Sequence, residues 1–139
     1  RSEDEKLKSV RRPFKLMVLT GCVFRQSNPA VVGVEVLAGT LKTGRDVLNE
    51  NGKKISEVKS IQLEGENINE IEKGKQVAIS LPGATVGRNL FENEVLYSDI
   101  HENDFRKIKE LKRFLKGDEV ELLKEIAMIK RKNNPMWGI

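Results

Sequence analysis

The chain changes its hydrophobic period once, and that change sets what it can fold into. From Phe14 to Ser98, apolar residues fall in short, roughly alternating runs broken by glycine and Asn-Pro turns. After Ser98 they recur every three or four residues, as on one face of a helix. Within the first part, Lys15–Phe24 and Ala30–Leu37 read as strands around the turn tetrad Gln26-Ser27-Asn28-Pro29. Gly39, Gly44, Gly52 and Gly65 punctuate the next stretch, and Glu50-Asn51-Gly52 offers a hairpin turn. Ile55–Ile61 reads as one strand wet on one side, and Gln76–Leu81 and Asn93–Ser98 close the series. Strands spaced about 8–12 residues apart with glycine turns predict a small antiparallel β-barrel over 13–98.

In the second part, Phe105, Ile108, Leu111, Phe114 and Leu115 mark one face of a helix that Gly117 would end. Asp118 with Glu121 resembles a capping box and opens a second helix. That helix presents Val120, Leu122, Leu123, Ile126, Ala127 and Ile129 and stops near Asn133-Asn134-Pro135. The tail Met136-Trp137-Gly138-Ile139 is apolar and must fold back or meet a partner. The expected class is therefore mainly β with an α extension: a barrel followed by a two-helix hairpin over 99–139. Residues 1–12 are polar and stopped by Pro13. They read as the end of a linker helix arriving from upstream domains, in keeping with a first residue, Arg1, that is not Met.

The net charge of +4 is not spread evenly. Residues 1–12 carry five basic and three acidic side chains, 13–97 ten of each, and 98–139 ten basic and eight acidic. The barrel is neutral and the excess sits at both ends, far from the concentrated basic field of a nucleic-acid coat protein. Seven aromatic residues are too few for a run of base-stacking side chains. No apolar stretch reaches the ~18 residues that span a bilayer, and no signal peptide opens the chain. One cysteine, Cys22, excludes an internal disulfide and fits a reducing, cytoplasmic compartment.

Catalytic chemistry is hard to assemble from these residues. Gly39-Thr40-Leu41-Lys42-Thr43-Gly44 has phosphate-loop spacing, but Arg45-Asp46 stands where Lys-Ser/Thr must hold phosphate and magnesium, so a turn between strands is expected. His101 is the sole histidine and reads as a surface residue at a helix entrance. Cys22 reads as a buried structural thiol. Glu64, Glu66, Glu70 and Glu72 read as a solvated acidic loop and not as a metal site. No catalytic residue, metal ligand or cofactor is assigned to this chain.

Two stretches carry a family resemblance. Val31-Val32-Gly33-Val34-Glu35-Val36-Leu37-Ala38-Gly39-Thr40-Leu41-Lys42-Thr43-Gly44, preceded by Phe14-Lys15-Leu16, resembles the V-x-G-x-V-x-x-G-x-L-K-x-G strand pair of the second-type barrel of translational GTPases. Ser60–Leu63 and Asn67–Ile79 resemble the same barrel, in which a loop and short helix lead through a glycine into the next strand. The barrel plus two helices and a short apolar end is similar to the C-terminal domain, domain IV, of archaeal and eukaryotic translation initiation factor 5B. The bacterial relative, initiation factor two, stops soon after the barrel.

The resemblance implies a non-catalytic part of a translation initiation GTPase, with GTP and Mg2+ confined to an absent G domain. It implies that the barrel binds the acceptor end of unformylated initiator methionyl-tRNA through Val34, Gln62, Leu63, Glu64, Lys75, Gln76, Val77 and Ala78. Here the chain departs from the bacterial pattern, which has Cys at Val34, Lys-Arg-Phe across Gln62-Leu63-Glu64 and Glu-Cys-Gly across Gln76-Val77-Ala78. Lys42, Lys59, Lys73, Lys75 and Arg88 are cations available to the tRNA phosphates. The resemblance further implies that the helices bind the C-terminal tail of initiation factor 1A. Phe105, Ile108, Leu111, Leu115, Leu123 and Ile126 would line that groove, Lys112, Lys116, Lys124 and Lys130 would rim it, and Trp137 would join it. A ribosome-bound, monomeric factor of protein biosynthesis is the expected whole. The alternative is a protein–protein module in which the helical hairpin alone binds a peptide and the barrel is scaffold.

Overall fold

A computed structural model describes residues 12–139. The linker-helix reading of residues 1–11 lies outside the described residues. Nine strands form one antiparallel sheet: β1 Phe14–Arg25, β2 Ala30–Lys42, β3 Asp46–Leu48, β4 Lys54–Glu57, β5 Ser60–Leu63, β6 Glu66–Ile68, β7 Glu70–Glu72, β8 Gln76–Leu81 and β9 Val95–Ser98. Their spatial order is β4-β3-β9-β1-β2-β8-β5-β6, with β7 also on β2. β4 and β5 lie far apart in that order yet are joined by only Val58 and Lys59. The sheet must therefore curl, and the link is stitched by Val58 N–H to the Arg45 carbonyl at 2.9 Å and Lys59 N–H to the Ser80 carbonyl at 3.0 Å. Alternation does the rest: Phe14, Leu16, Val18, Val32, Val34, Ile79 and Leu81 point inward and are buried together. The mainly-β barrel with a helical extension expected from the hydrophobic periods is the observed fold.

Several local expectations differ. Ile55–Ile61 is two strands, because Val58 turns into the core and its backbone bonds across to Arg45. The loop-and-helix expected between Asn67 and Gly74 is instead β6 and β7, whose Glu70, Ile71 and Glu72 pair with Lys42, Leu41 and Thr40. Gly39 lies inside β2, not in a turn, and the motif from Val31 to Lys42 is one long strand. Gly33 is no barrel corner either. A Cβ there would stand 2.8 Å from the Cys22 Cβ, so the glycine makes room for the irregular stretch of β1 between Val18 and Val23.

A second core joins the helices to the barrel wall. Helix α1 (Glu102–Glu110), a 3-10 turn (Lys112–Phe114) and helix α2 (Gly117–Arg131) follow β9. Phe105, Ile108, Leu122, Leu123 and Ile126 pack with Ala38, Leu48, Tyr97 and Ile100. α1 ends earlier than its pattern suggested, and Phe114 is exposed. Gly117 starts α2 instead of ending α1. Asp118 does not cap that helix. The half-box is formed by Glu119, whose carboxylate accepts the Lys116 N–H at 3.2 Å, and Lys116 has no acceptor to complete it. Glu119 is 2% exposed and is matched by the Arg12 guanidinium, whose Nε lies 2.9 Å from Oε2. At the other end, Lys132 Nζ donates to the Glu50 carbonyl at 3.1 Å, and Lys130 binds Asp99. Among the described residues no helix is long and apolar enough to cross a membrane.

Candidate functional site

On the barrel, a register coincidence creates a cavity. Gly33 of β2 pairs with Ala78 of β8, which pairs with Gln62 of β5. The row presents hydrogen, methyl and amide side by side, a shallow floor where bulky residues would make a ridge. Between Val18 and Val23 the register of β1 shifts. There Leu19, Cys22 and Phe24 form one wall. The Glu64-Gly65 turn closes the opposite side, with both residues at positive φ. The cavity holds about 560 Å3. Phe24, at its rim, is 68% exposed.

Of the eight residues assigned to tRNA, Gln62, Glu64, Gln76, Val77 and Ala78 line this cavity together. Val34, Leu63 and Lys75 do not. Val34 is fully buried in the barrel, because its strand neighbours Val31 and Gly33 take the cavity side. Leu63 packs against the barrel core, and Lys75 is exposed away from the lining. Cys22, expected to be buried, is half-buried at the cavity wall. Leu19, Cys22, Phe24, Val31 and Gly33 were missed. Strand alternation could have found them, since Cys22 and Phe24 share a face and the turn at 26–29 folds that face against Val31 and Gly33. Among the barrel cations, Lys42 pairs with Glu70 at 3.8 Å and Lys73 with Asp118 at 3.7 Å. Lys59, Lys75 and Arg88 make no ion pair within 4.0 Å among the described residues.

The helices hold a second cavity of about 330 Å3, lined by Phe105, Lys109, Lys112, Val120, Leu123, Lys124, Ala127, Met128 and Arg131. Four cations and no acid border it. Met128 is 69% exposed there. Phe105, Leu123, Lys112 and Lys124 stand where the sequence put them. Ile108, Leu111 and Ile126 are instead buried in the second core, where α1 and α2 meet the barrel, and Leu115 is half-buried against it. Lys116 borders a different, polar cleft beside Asp118 and Glu119. Lys130 is engaged by Asp99 and sits 5.8 Å from the Trp137 ring. Trp137 is 8% exposed, with its ring 4.7 Å from that of Phe105 and its carbonyl accepting from Arg131 Nε at 2.8 Å. The tail is thus folded onto the hairpin behind the groove.

No acid–base constellation accompanies these cavities. His101 precedes α1 and makes no side-chain cap. No group of three His, Cys, Asp or Glu side chains able to hold a metal occurs among the described residues. The Gly39–Gly44 stretch does not fit a nucleotide. Its Thr43 and Gly44 N–H groups donate to Asn69 and Val58 carbonyls, so they are spent within the fold and cannot cradle phosphates.

An antiparallel barrel followed by a two-helix appendage is an architecture found in translation factors. The chain belongs to the elongation factor Tu domain 4 family, whose model matches residues 12–97. It is 46% identical to the probable translation initiation factor IF-2 of Methanopyrus kandleri, over 100% of this chain and 23% of that protein. To the IF-2 of Methanosarcina acetivorans it is 45% identical, over 99% of this chain and 23% of that protein. GDP-bound aIF5B of Aeropyrum pernix superposes with a TM-score of 0.90 at 34% identity, covering 98% of this chain and 23% of that one. The chain therefore spans about a quarter of the length of the relatives it matches. The likeness to domain IV of initiation factor 5B drawn from the barrel motifs and the two helices holds over essentially the whole chain, helices included.

Proposed function

We propose that this chain is the binding domain of a translation initiation GTPase that receives the aminoacyl end of initiator methionyl-tRNA in the barrel cavity. The observation that carries the reading is the convergence of Gln62, Glu64, Gln76, Val77 and Ala78, from two strands and a turn, around one largely apolar cavity of about 560 Å3. A methionyl side chain with a terminal nucleoside fits the range typical of small-molecule sites, about 300–1,000 Å3. Phe24 at the rim offers a face for a base, and Lys59, Lys75 and Arg88 offer charge to the CCA phosphates. The relatives supply the setting, since they are translation initiation factors. GTP and Mg2+ would act in a G domain outside this chain, on a ribosome in the cytoplasm. Recognition of the charged tRNA end would position it during subunit joining.

The helical groove would hold the acidic C-terminal tail of initiation factor 1A. Its four cations around an apolar floor favour an acidic-hydrophobic segment. That groove also supports the narrower reading, a peptide-binding hairpin on a scaffold barrel. The deciding experiment compares binding of the chain to methionyl initiator tRNA and to the same tRNA uncharged, at low and moderate salt. Preference for the charged form supports the cavity. Equal, steeply salt-dependent binding reduces the barrel's role to phosphate attraction and leaves the groove as the function.

A further inference from the structure

Two adjacent residues in the first turn of α2 border different cavities. Glu119 lines the polar cleft that it shares with Arg12, Gly39 and Lys116, whereas Val120 lines the helical groove. Successive helical residues point about 100° apart, so one turn can serve both. Leu115 and Lys116 approach α2 in extended conformation, and Gly117 has open space where a Cβ would stand. The turn is instead held by its two carboxylates. Asp118 is tied to the Gly39 N–H on β2. Glu119 accepts the Lys116 N–H at 3.2 Å and the Arg12 Nε–H at 2.9 Å. Because Glu119 is 2% exposed, Arg12 also supplies the charge that lets this carboxylate stay buried. Arg12 is itself placed by Pro13, whose carbonyl oxygen lies where a Cβ on Gly39 would come within 2.0 Å.

We propose that Arg12 is a positioning residue for the helical groove: its ion pair with Glu119 holds the first turn of α2 so that Val120 stays in the groove wall. Binding in the groove is thereby coupled to the point where the chain enters the barrel. The inference rests on the reading of that groove as a peptide site. Without the guanidinium, the Glu119 carboxylate must turn toward water, and the first turn of α2 opens with it. Arg12 in the cleft and a ligand in the groove then bias the same element from opposite sides, which makes their effects reciprocal.

The test titrates the chain with a peptide of the initiation factor 1A C-terminal tail and follows amide hydrogen exchange in the first turn of α2. Arg12→Ala is expected to weaken peptide binding by about fivefold or more. Exchange at Glu119 and Val120, whose N–H groups donate to the Lys116 carbonyl, should speed up on the order of tenfold. Adding Glu119→Gln removes the uncompensated buried charge and should restore affinity to within about twofold of the unsubstituted chain. Loss of Arg12 packing alone is not rescued in that way. Lys15→Ala breaks the ion pair to Glu125 in the middle of α2 and should leave affinity within about twofold. An Arg12→Ala chain that binds as tightly as the unsubstituted one, or a double variant as weak as the single, overturns the role of Arg12 and leaves the groove reading standing. A peptide that fails to bind the unsubstituted chain overturns both.

Discussion

The Asp118 carboxylate accepts the Gly39 backbone N–H at 2.9 Å, fastening the first turn of α2 to the C-terminal part of the longest strand. That bond helps join the two cores, alongside the Arg12–Glu119 and Lys15–Glu125 ion pairs. Gly39 lies between Ala38, which packs under the helices, and Leu41, which packs in the barrel. Its backbone φ of 73° and a site where a Cβ would meet the Pro13 carbonyl oxygen at 2.0 Å leave no room for any other residue.

Removing that anchor should be costly. Asp118→Ala leaves the Gly39 N–H without a partner and is expected to destabilise by about 1–3 kcal/mol in urea unfolding. The Gly39 bond, and secondarily the charge of Lys73, holds the Asp118 carboxyl below its ordinary range. A lowered folded-state value contributes stability that is present above pH ~4 and lost as pH falls through it. The Asp118→Ala variant should therefore lose less on acidification from pH 5 to 2 than the unsubstituted chain.

Tyr97 gives the opposite limb of the pH profile. Burial, reinforced by the Glu125 carboxylate 3.3 Å from its hydroxyl, pushes its phenol to about 12. Raised values contribute stability below the unfolded value, near 10, that is lost as pH rises to 12. It is the chain's one tyrosine, so phenolate absorbance should titrate near 12 in the folded protein and near 10 in denaturant.

Trp137, also unique in the chain, reports the tail. Its fluorescence should be blue-shifted in the native state and move red in the same transition as the helical signal. Trp137→Ala should cost about 3–5 kcal/mol, because the cavity opens beneath Phe105. The barrel cavity, on the other side of the molecule's two-core division, should keep its ligand preference in that variant.

Met128→Glu separates binding from folding. The residue is 69% exposed, so stability should change by no more than about 0.5 kcal/mol. A carboxylate in the groove should weaken binding of an acidic-hydrophobic peptide by at least tenfold, measured by titration calorimetry, since it opposes the local charge presented by Lys109, Lys112, Lys124 and Arg131.

Both hydrophobic periods, the turns at 26–29 and 50–52, and the strands Gln76–Leu81 and Ala30–Leu37 could be read directly, because side-chain alternation and turn chemistry are local properties. Five cavity residues were likewise reachable from the barrel motifs. Val34 was not separable from its neighbours in that way: facing inward or outward depends on the register of β2 against β1 and β8, and the bulge in β1 sets where that register shifts. Gly117 shows the same limit on the helical side. Local propensity makes it a stop, but Glu119 paired to Arg12, distant by more than a hundred residues, makes it the first residue of a helix. Lys130, placed on the groove rim by the pattern, was drawn inward by Asp99, and Trp137, left open between folding back and meeting a partner, packs on Phe105.

Composition and periodicity thus determined a neutral barrel, a basic helical hairpin and the absence of a usable phosphate loop, since each depends on residues near one another in the chain. Tertiary structure alone decided which side of each strand became cavity and which groove residues stayed open. Those outcomes depend on strand register, the close approach of Cys22 to Gly33 and ion pairs between distant segments, none of which leaves a periodic trace in the sequence.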